Sequence, residues 1–213
     1  LEIPKQYAEI KGKTVIRRAI EPFLFFSDID EIIVSARRED FEIAERGLCG
    51  IEKLRFVQGG ATRMESVANA LFSIPCDHER TVIVHDAARP YPSPGLVARI
   101  FSSLDDEIDG VIPVVPVHDA LKVLSAESAA VLNTVRREGL AAAQTPQIFW
   151  LERLKGFYSQ VLDRYVEADL ADIQDDSQVV EMCGGTVYYV AGESANIKIT
   201  LESDFLMIEK MID

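Results

Sequence analysis

The residue types best suited to chemistry gather around Thr81-Val82-Ile83-Val84-His85-Asp86-Ala87-Ala88-Arg89-Pro90. Four residues rich in β-branched types run straight into an acid, two alanines, an arginine and a proline, which predicts a buried strand ending in a polar loop. In open parallel sheets, ligands bind at that edge. Asp86 offers a hard oxygen to a divalent cation or an acceptor to a sugar hydroxyl, and Arg89 offers a planar fork of donors that suits phosphate. An acid and a base three apart equally suit a plain ion pair that closes a turn. A second candidate is Gln58-Gly59-Gly60-Ala61-Thr62-Arg63-Met64-Glu65-Ser66. Its paired glycines let backbone approach a flat ligand and Ser66 can donate or accept one hydrogen bond, although a tight turn needs the same glycines.

The remaining candidates are scattered. Pro4 fixes the backbone before Lys5 and leaves an ammonium on a loop, where solvation alone would account for it. Lys198 stands between Ile197 and Ile199, so in an extended segment its ammonium points away from the face its neighbours bury. Gln144-Thr145-Pro146-Gln147 is a polar turn carrying a hydroxyl. Arg136 and Arg137 mark a solvated face or, at the foot of a dimer arm, reach into a neighbour's site. Asp169, Asp172, Asp175 and Asp176 tempt a metal assignment, but beside a helix starting near Ser177 such carboxylates more commonly serve the helix's positive end.

The elements that must position these residues follow from periodicity. Helical spacing over 14–26 carries Pro22, which should bend the helix or split off its last turn. A strand is predicted over 31–36, a helix over 38–46 ended by Gly47, a strand over 54–57, and a helix running on from Ser66 through Leu71. A helix over 94–104 and a buried strand over 110–117 continue the βαβ alternation, which predicts a parallel sheet. Two short runs, 121–124 and 131–135, then read as a hairpin. A lone two-stranded ribbon is marginal in water, so it is expected to pack on another copy of the chain. A helix over 151–162, a strand over 186–190 and an amphipathic helix over 202–212 complete the chain.

Composition narrows the class. The chain has 213 residues, 48% of them hydrophobic, enough for one α/β domain with a substantial core. A net charge of −13 argues against a nucleic-acid or anionic-membrane surface, so any bound phosphate must be met by a local cluster of bases. Cys49, Cys76 and Cys183 are odd in number and lack ligand spacing, which disfavours a disulfide scaffold or zinc site and fits a reducing cytoplasm. No apolar run reaches the length of a membrane span.

Together, Pro4-Lys5-Gln6-Tyr7, Gly59-Gly60-Ala61-Thr62-Arg63 with Ser66-Val67, His85-Asp86-Ala87-Ala88-Arg89-Pro90, Thr145-Pro146-Gln147 and Asn196-Ile197-Lys198-Ile199-Thr200 resemble, in that order, the 2-C-methyl-D-erythritol 4-phosphate cytidylyltransferases of non-mevalonate isoprenoid synthesis. The resemblance covers essentially the whole chain. It implies a Rossmann-like nucleotidyltransferase fold, a homodimer joined by a protruding β-arm at about 117–137, and Mg²⁺-dependent transfer of CMP from CTP to a sugar-alcohol phosphate. By resemblance Lys5 stabilises the transition state, Lys198 positions the attacking phosphate, and Arg137 reaches across the dimer to the same substrate. Asp86 and Arg89 match the substrate-binding pair, with Asp86 also the candidate metal ligand. Thr145 matches a hydroxyl on the sugar phosphate. Gly59, Gly60 and Ser66 match the loop framing the cytosine, and Ala87 and Ala88 line the nucleotide side.

The chain departs from the family's pattern at three places. The family opens with a strand and a glycine-rich loop ending in an arginine, for which nothing before Leu1 supplies a counterpart; further upstream residues are expected, and without that strand the centre of the sheet would hold a hole. Ala120 stands where threonine is usual, which removes one hydroxyl contact to the substrate. Ala61 stands where some members carry an acid toward the cytosine amino group. The competing expectations are a ribitol-5-phosphate cytidylyltransferase, against which Ala88 counts because those relatives tend to carry valine there, and an inactive nucleotide-binding relative.

Overall fold

The computed structural model describes residues 3–75, 80–165, 170 and 172–212; Cys76 and Asp169 lie outside them. In chain order the elements are β1 (Glu9–Ile10), β2 (Lys13–Thr14), α1 (Val15–Ile20), β3 (Ile32–Ala36), α2 (Phe41–Gly47), β4 (Leu54–Gln58), α3 (Arg63–Phe72), β5 (Thr81–Val84), α4 (Pro94–Ser103) and β6 (Gly110–Pro116). They continue with β7 (Lys122–Leu124), β8 (Val131–Thr134), β9 (Ala141–Ala143), β10 (Gln147–Trp150), α5 (Leu151–Arg164), α6 (Asp176–Met182), β11 (Val187–Ala191) and α7 (Glu202–Met211). Pro22 does split off the last turn of the first helix, as a 3₁₀ segment over Glu21–Phe25.

The central sheet runs β11-β6-β10-β5. β11 is parallel to β6, while β10 is antiparallel to both β6 and β5 and β9 is antiparallel to β6, so β5, β6 and β11 share one direction and β9 and β10 run against them. The alternation of side chains sets this register. Val82, Val84, Phe149, Ile112 and Val187 face the core built by α3, α5 and α6, whereas Ile83, Ile148, Val111 and Val190 face the cluster under α4. A slip of one residue in β10 would exchange Phe149 with Ile148 and put each against the wrong layer.

β10 is the largest departure from the sequence reading, in which Gln147 belonged to a turn and the next element was a helix. Ile148, Phe149 and Trp150 run into Leu151 without a breaker, and a four-residue buried strand carries no period of its own. β9 was missed too, because three alanines carry little strand preference. Gly110, the register partner of Phe149, leaves room for that ring: an added Cβ would lie 2.3 Å from Phe149 Cδ1. Gly110→Ala is therefore expected to destabilise the chain by about 1–3 kcal/mol, the range for overpacking a core, as read from a denaturant midpoint.

Among the described residues β3 pairs only with β4, in parallel, and β5 only with β10. Between β3 and β5 lies a cavity of about 670 Å³, lined by Ile32–Ala36 on one side and Thr81–Ala87 on the other. β7 and β8 form the expected hairpin, exposed throughout, with Leu124 and Leu132 showing about two thirds of their surface.

Candidate active site

Asp86 follows the last residue of β5 by two positions, so the strand delivers it to the C-terminal edge of the sheet. Three cations meet it there. Lys198 Nζ lies 2.9 Å from Oδ2, Arg89 Nε 3.5 Å from Oδ2, and Arg63 Nε 3.4 Å from Oδ1. Burial alone would raise the Asp86 carboxyl; Arg63, Lys198 and Arg89 outweigh it and hold the group down to about 2.

Lys198 reaches Asp86 for the reason its sequence gave. Residues 196–200 pair in no strand ladder, but the segment is pinned by Ile199 N–H donating to the Ala88 carbonyl at 2.8 Å, and Ile197 and Ile199 pack into the cluster with Ile10, Val15 and Ile208. Their burial turns Lys198 the other way. Asn196, wholly buried, donates its amide to the Thr145 carbonyl at 2.8 Å and so ties this segment to the turn before β10. Arg89 completes the stitching by donating to the Asn196 carbonyl at 2.9 Å and the Ala143 carbonyl at 3.5 Å.

The Thr145 hydroxyl is occupied inside the loop. It accepts from the Asp86 N–H at 3.0 Å and donates to His85 Nδ1 at 3.0 Å, while His85 Nε2–H donates to the Arg89 carbonyl at 3.0 Å. Those partners suit the neutral ring, and burial pushes the imidazole down to about 4. Thr145 thus orients the backbone that carries Asp86.

The glycine loop leads into α3. Gly59 N–H donates to the Ala36 carbonyl at 2.7 Å and Gly60 N–H to Ser66 Oγ at 3.1 Å; Ser66 donates onward to the Thr62 carbonyl at 2.8 Å. Thr62 caps the helix by accepting from Glu65 N–H, and Glu65 accepts from Ala61 N–H at 2.6 Å. At Gly60 an added Cβ would sit 2.2 Å from Glu65 Cβ, so the loop closes tightly only with glycine. Capping fixes Arg63 as the first helical residue and aims it at Asp86.

Arg63, Asp86, Arg89, Thr145 and Lys198 line one cavity of about 160 Å³. Gly59, Arg63, Ser66, Asp86 and Ala87 line the site end of the larger one. Gly60 adjoins it, and Ala88 is buried, with its carbonyl spent on Ile199. Lys5 and Arg137 line neither cavity. Lys5, on a 3₁₀ turn anchored by buried Tyr7, is felt by Asp204, whose carboxyl is held down chiefly by the backbone N–H groups of Leu201 and Thr200. Arg137 hydrogen-bonds the His118 carbonyl at the foot of the arm.

Of the acidic stretch, Asp175 caps α6 by accepting from Gln178 N–H at 3.0 Å, the helix-end use of such carboxylates. Asp176 is wholly buried and takes Arg63 Nη2 at 2.6 Å and the Tyr158 hydroxyl at 2.5 Å. Among the described residues no three His, Cys, Asp or Glu side chains group as metal ligands. Asp86 is a single carboxylate facing both cavities. It suits a Mg²⁺ ion held largely by substrate phosphates, provided Lys198 releases Oδ2. The sequence gives no sign that Arg63, Asp176 and Tyr158 meet; the Thr62-x-x-Glu65 cap is the one local sign that Arg63 opens a helix at the site.

A basic cluster at the C-terminal end of β5, with the glycine loop that leads from β4 into α3 beside it, places the chain among the α/β proteins whose ligands bind at that edge. The sequence model of the family IspD, 2-C-methyl-D-erythritol 4-phosphate cytidylyltransferase, matches residues 1–213, and the chain belongs to that family. It is 37% identical over 212 residues to a bifunctional enzyme IspD/IspF of Rhizobium leguminosarum bv. trifolii, covering 98% of this chain and 51% of that protein. It is 34% identical to a 2-C-methyl-D-erythritol 4-phosphate cytidylyltransferase of Rubrobacter xylanophilus, covering 98% of this chain and 87% of the relative. The crystal structure of the Francisella tularensis 2-C-methyl-D-erythritol 4-phosphate cytidylyltransferase matches with a TM-score of 0.84 at 27% identity, over 99% of this chain and 94% of that one. The chain spans about half the length of the bifunctional relatives it matches.

Proposed function

We propose that the chain transfers CMP from CTP to 2-C-methyl-D-erythritol 4-phosphate, forming 4-diphosphocytidyl-2-C-methyl-D-erythritol and releasing pyrophosphate. The observation that carries the reading is the meeting of Arg63, Arg89 and Lys198 at Asp86 beside the glycine loop, a local positive cluster in a chain of net charge −13. In this reaction a phosphate oxygen of the sugar attacks the α-phosphorus in line and the bond to the pyrophosphate oxygen breaks. Catalysis is positioning and charge stabilisation. Lys198 draws the attacking phosphate in, Lys5 meets the negative charge that builds on the triphosphate, and Asp86 accepts from a substrate hydroxyl while Arg89 and Thr145 hold its loop. Gly59, Gly60, Ser66, Ala87 and Ala88 frame the nucleotide. Asp86 would help to hold a Mg²⁺ ion, which when bound would supply positive charge for the leaving phosphates.

The exposed β7–β8 arm supports a homodimer, with Arg137 serving the partner's site. Free thiols at Cys49 and Cys183 fit a cytoplasmic setting, and no described helix is long and apolar enough to cross a membrane. Arg137→Ala is expected to raise KM for the sugar phosphate about 10-fold, the low end of what a hydrogen bond to a charged group is worth. At sugar phosphate well below KM, mixed dimers of Arg137→Ala with Lys5→Ala should recover some activity, above the mean of the two parents; verified heterodimers without recovery would assign Arg137 to its own chain. Substrate choice is tested by comparing kcat/KM for the two sugar phosphates with CTP. The methylerythritol compound should be preferred at least ~10-fold, and a preference for ribitol 5-phosphate would overturn the assignment.

A further inference from the structure

Three cations share Asp86, but they are not equally free to leave it. Arg63 Nη2 lies 2.6 Å from Asp176, whose carboxylate is wholly buried and whose other oxygen takes the Tyr158 hydroxyl at 2.5 Å. Moving Arg63 onto a substrate phosphate would strand that carboxylate in the core, a costly state for an unpaired charge. Arg89 is held by two backbone carbonyls and its side chain is only 12% exposed. Lys198 is 39% exposed, and its ion pair with Asp86 is the contact that fixes its ammonium. An arriving phosphate therefore competes for Lys198 on far better terms than for either arginine. Once Lys198 departs, Oδ2 keeps only the 3.5 Å approach of Arg89, and Oδ1 keeps Arg63.

We propose that Arg63, anchored at its far end on the buried Asp176–Tyr158 pair, is a positioning residue that holds the Asp86 carboxylate in place when Lys198 leaves it for a substrate phosphate. The proposal rests on the phosphate-binding reading of the site. It extends the site into the core: α5 supplies Tyr158, α6 supplies Asp176 and α3 supplies the arginine that connects them to the cleft. Arg63 is thus a fixed strut and Lys198 the mobile cation.

Two measurements test this. The first needs no turnover: a crystal of the full chain soaked with inorganic phosphate, standing for the attacking phosphate, should place Lys198 Nζ on the anion, with Arg63 still on Asp176 and Asp86 unmoved. Arg63 turned from Asp176 onto the anion would overturn the proposal, and so would a crystal that binds no phosphate, since nothing would then draw Lys198 away. The second is a kinetic cycle. Tyr158→Phe keeps the ring and removes one hydrogen bond to a charged group, so kcat/KM for the sugar phosphate should fall about 10-fold while the Kd for CTP stays within twofold. In an Asp86→Asn background the same change should have no further effect. A loss confined to Tm, or an equal loss in both backgrounds, would make the anchor merely structural. A wild-type chain that turns over neither sugar phosphate would count against the proposed reaction, while the soak would still decide the role of Arg63.

Discussion

Replacing Lys198 by alanine is expected to lower kcat at least ~100-fold, with the loss exceeding any rise in KM for the sugar phosphate, because charge aimed at a transition state is worth more there than in the ground state. The ammonium sits 2.9 Å from Asp86 and is exposed enough to exchange partners. Arginine at this position should rescue poorly, since its guanidinium is a planar fork where the site holds a compact ammonium. Lys5→Ala should show a loss of the same order. An unchanged kcat in either variant removes that residue from the mechanism.

Removal of the Asp176 side chain has the second large effect, and it falls on stability. Asp176→Ala leaves the Arg63 guanidinium without its closest carboxylate and the Tyr158 hydroxyl without its acceptor. Breaking a buried pair from one side costs about 3–5 kcal/mol. Urea unfolding should report a loss of that size with little change in slope. A loss below about 1 kcal/mol, the range of an exposed pair, would mean that solvent reaches Asp176.

Much of the site could be read in the residues before any coordinates. The abrupt end of β5 at Asp86 and the isoleucines that turn Lys198 outward each depend on interactions a few residues long. So did the expectation that Pro22 would split the first helix and that Asp175 would serve a helix end. What escaped depends on distance. Arg63 and Asp176 are 113 positions apart, and no periodicity links them. β10 is four residues long and finds its place only because β5 and β6 leave a two-sided gap that Ile148 and Phe149 fill from opposite faces.

Phosphorus NMR of one reaction mixture tests the central claim most directly. With the chain, CTP, Mg²⁺ and 2-C-methyl-D-erythritol 4-phosphate together, the CTP signals should give way to free pyrophosphate and to the paired signals of a new diphosphate diester in equal amounts. CTP that persists unchanged, or that yields only CMP or orthophosphate while the sugar phosphate signal stays intact, would contradict cytidylyl transfer.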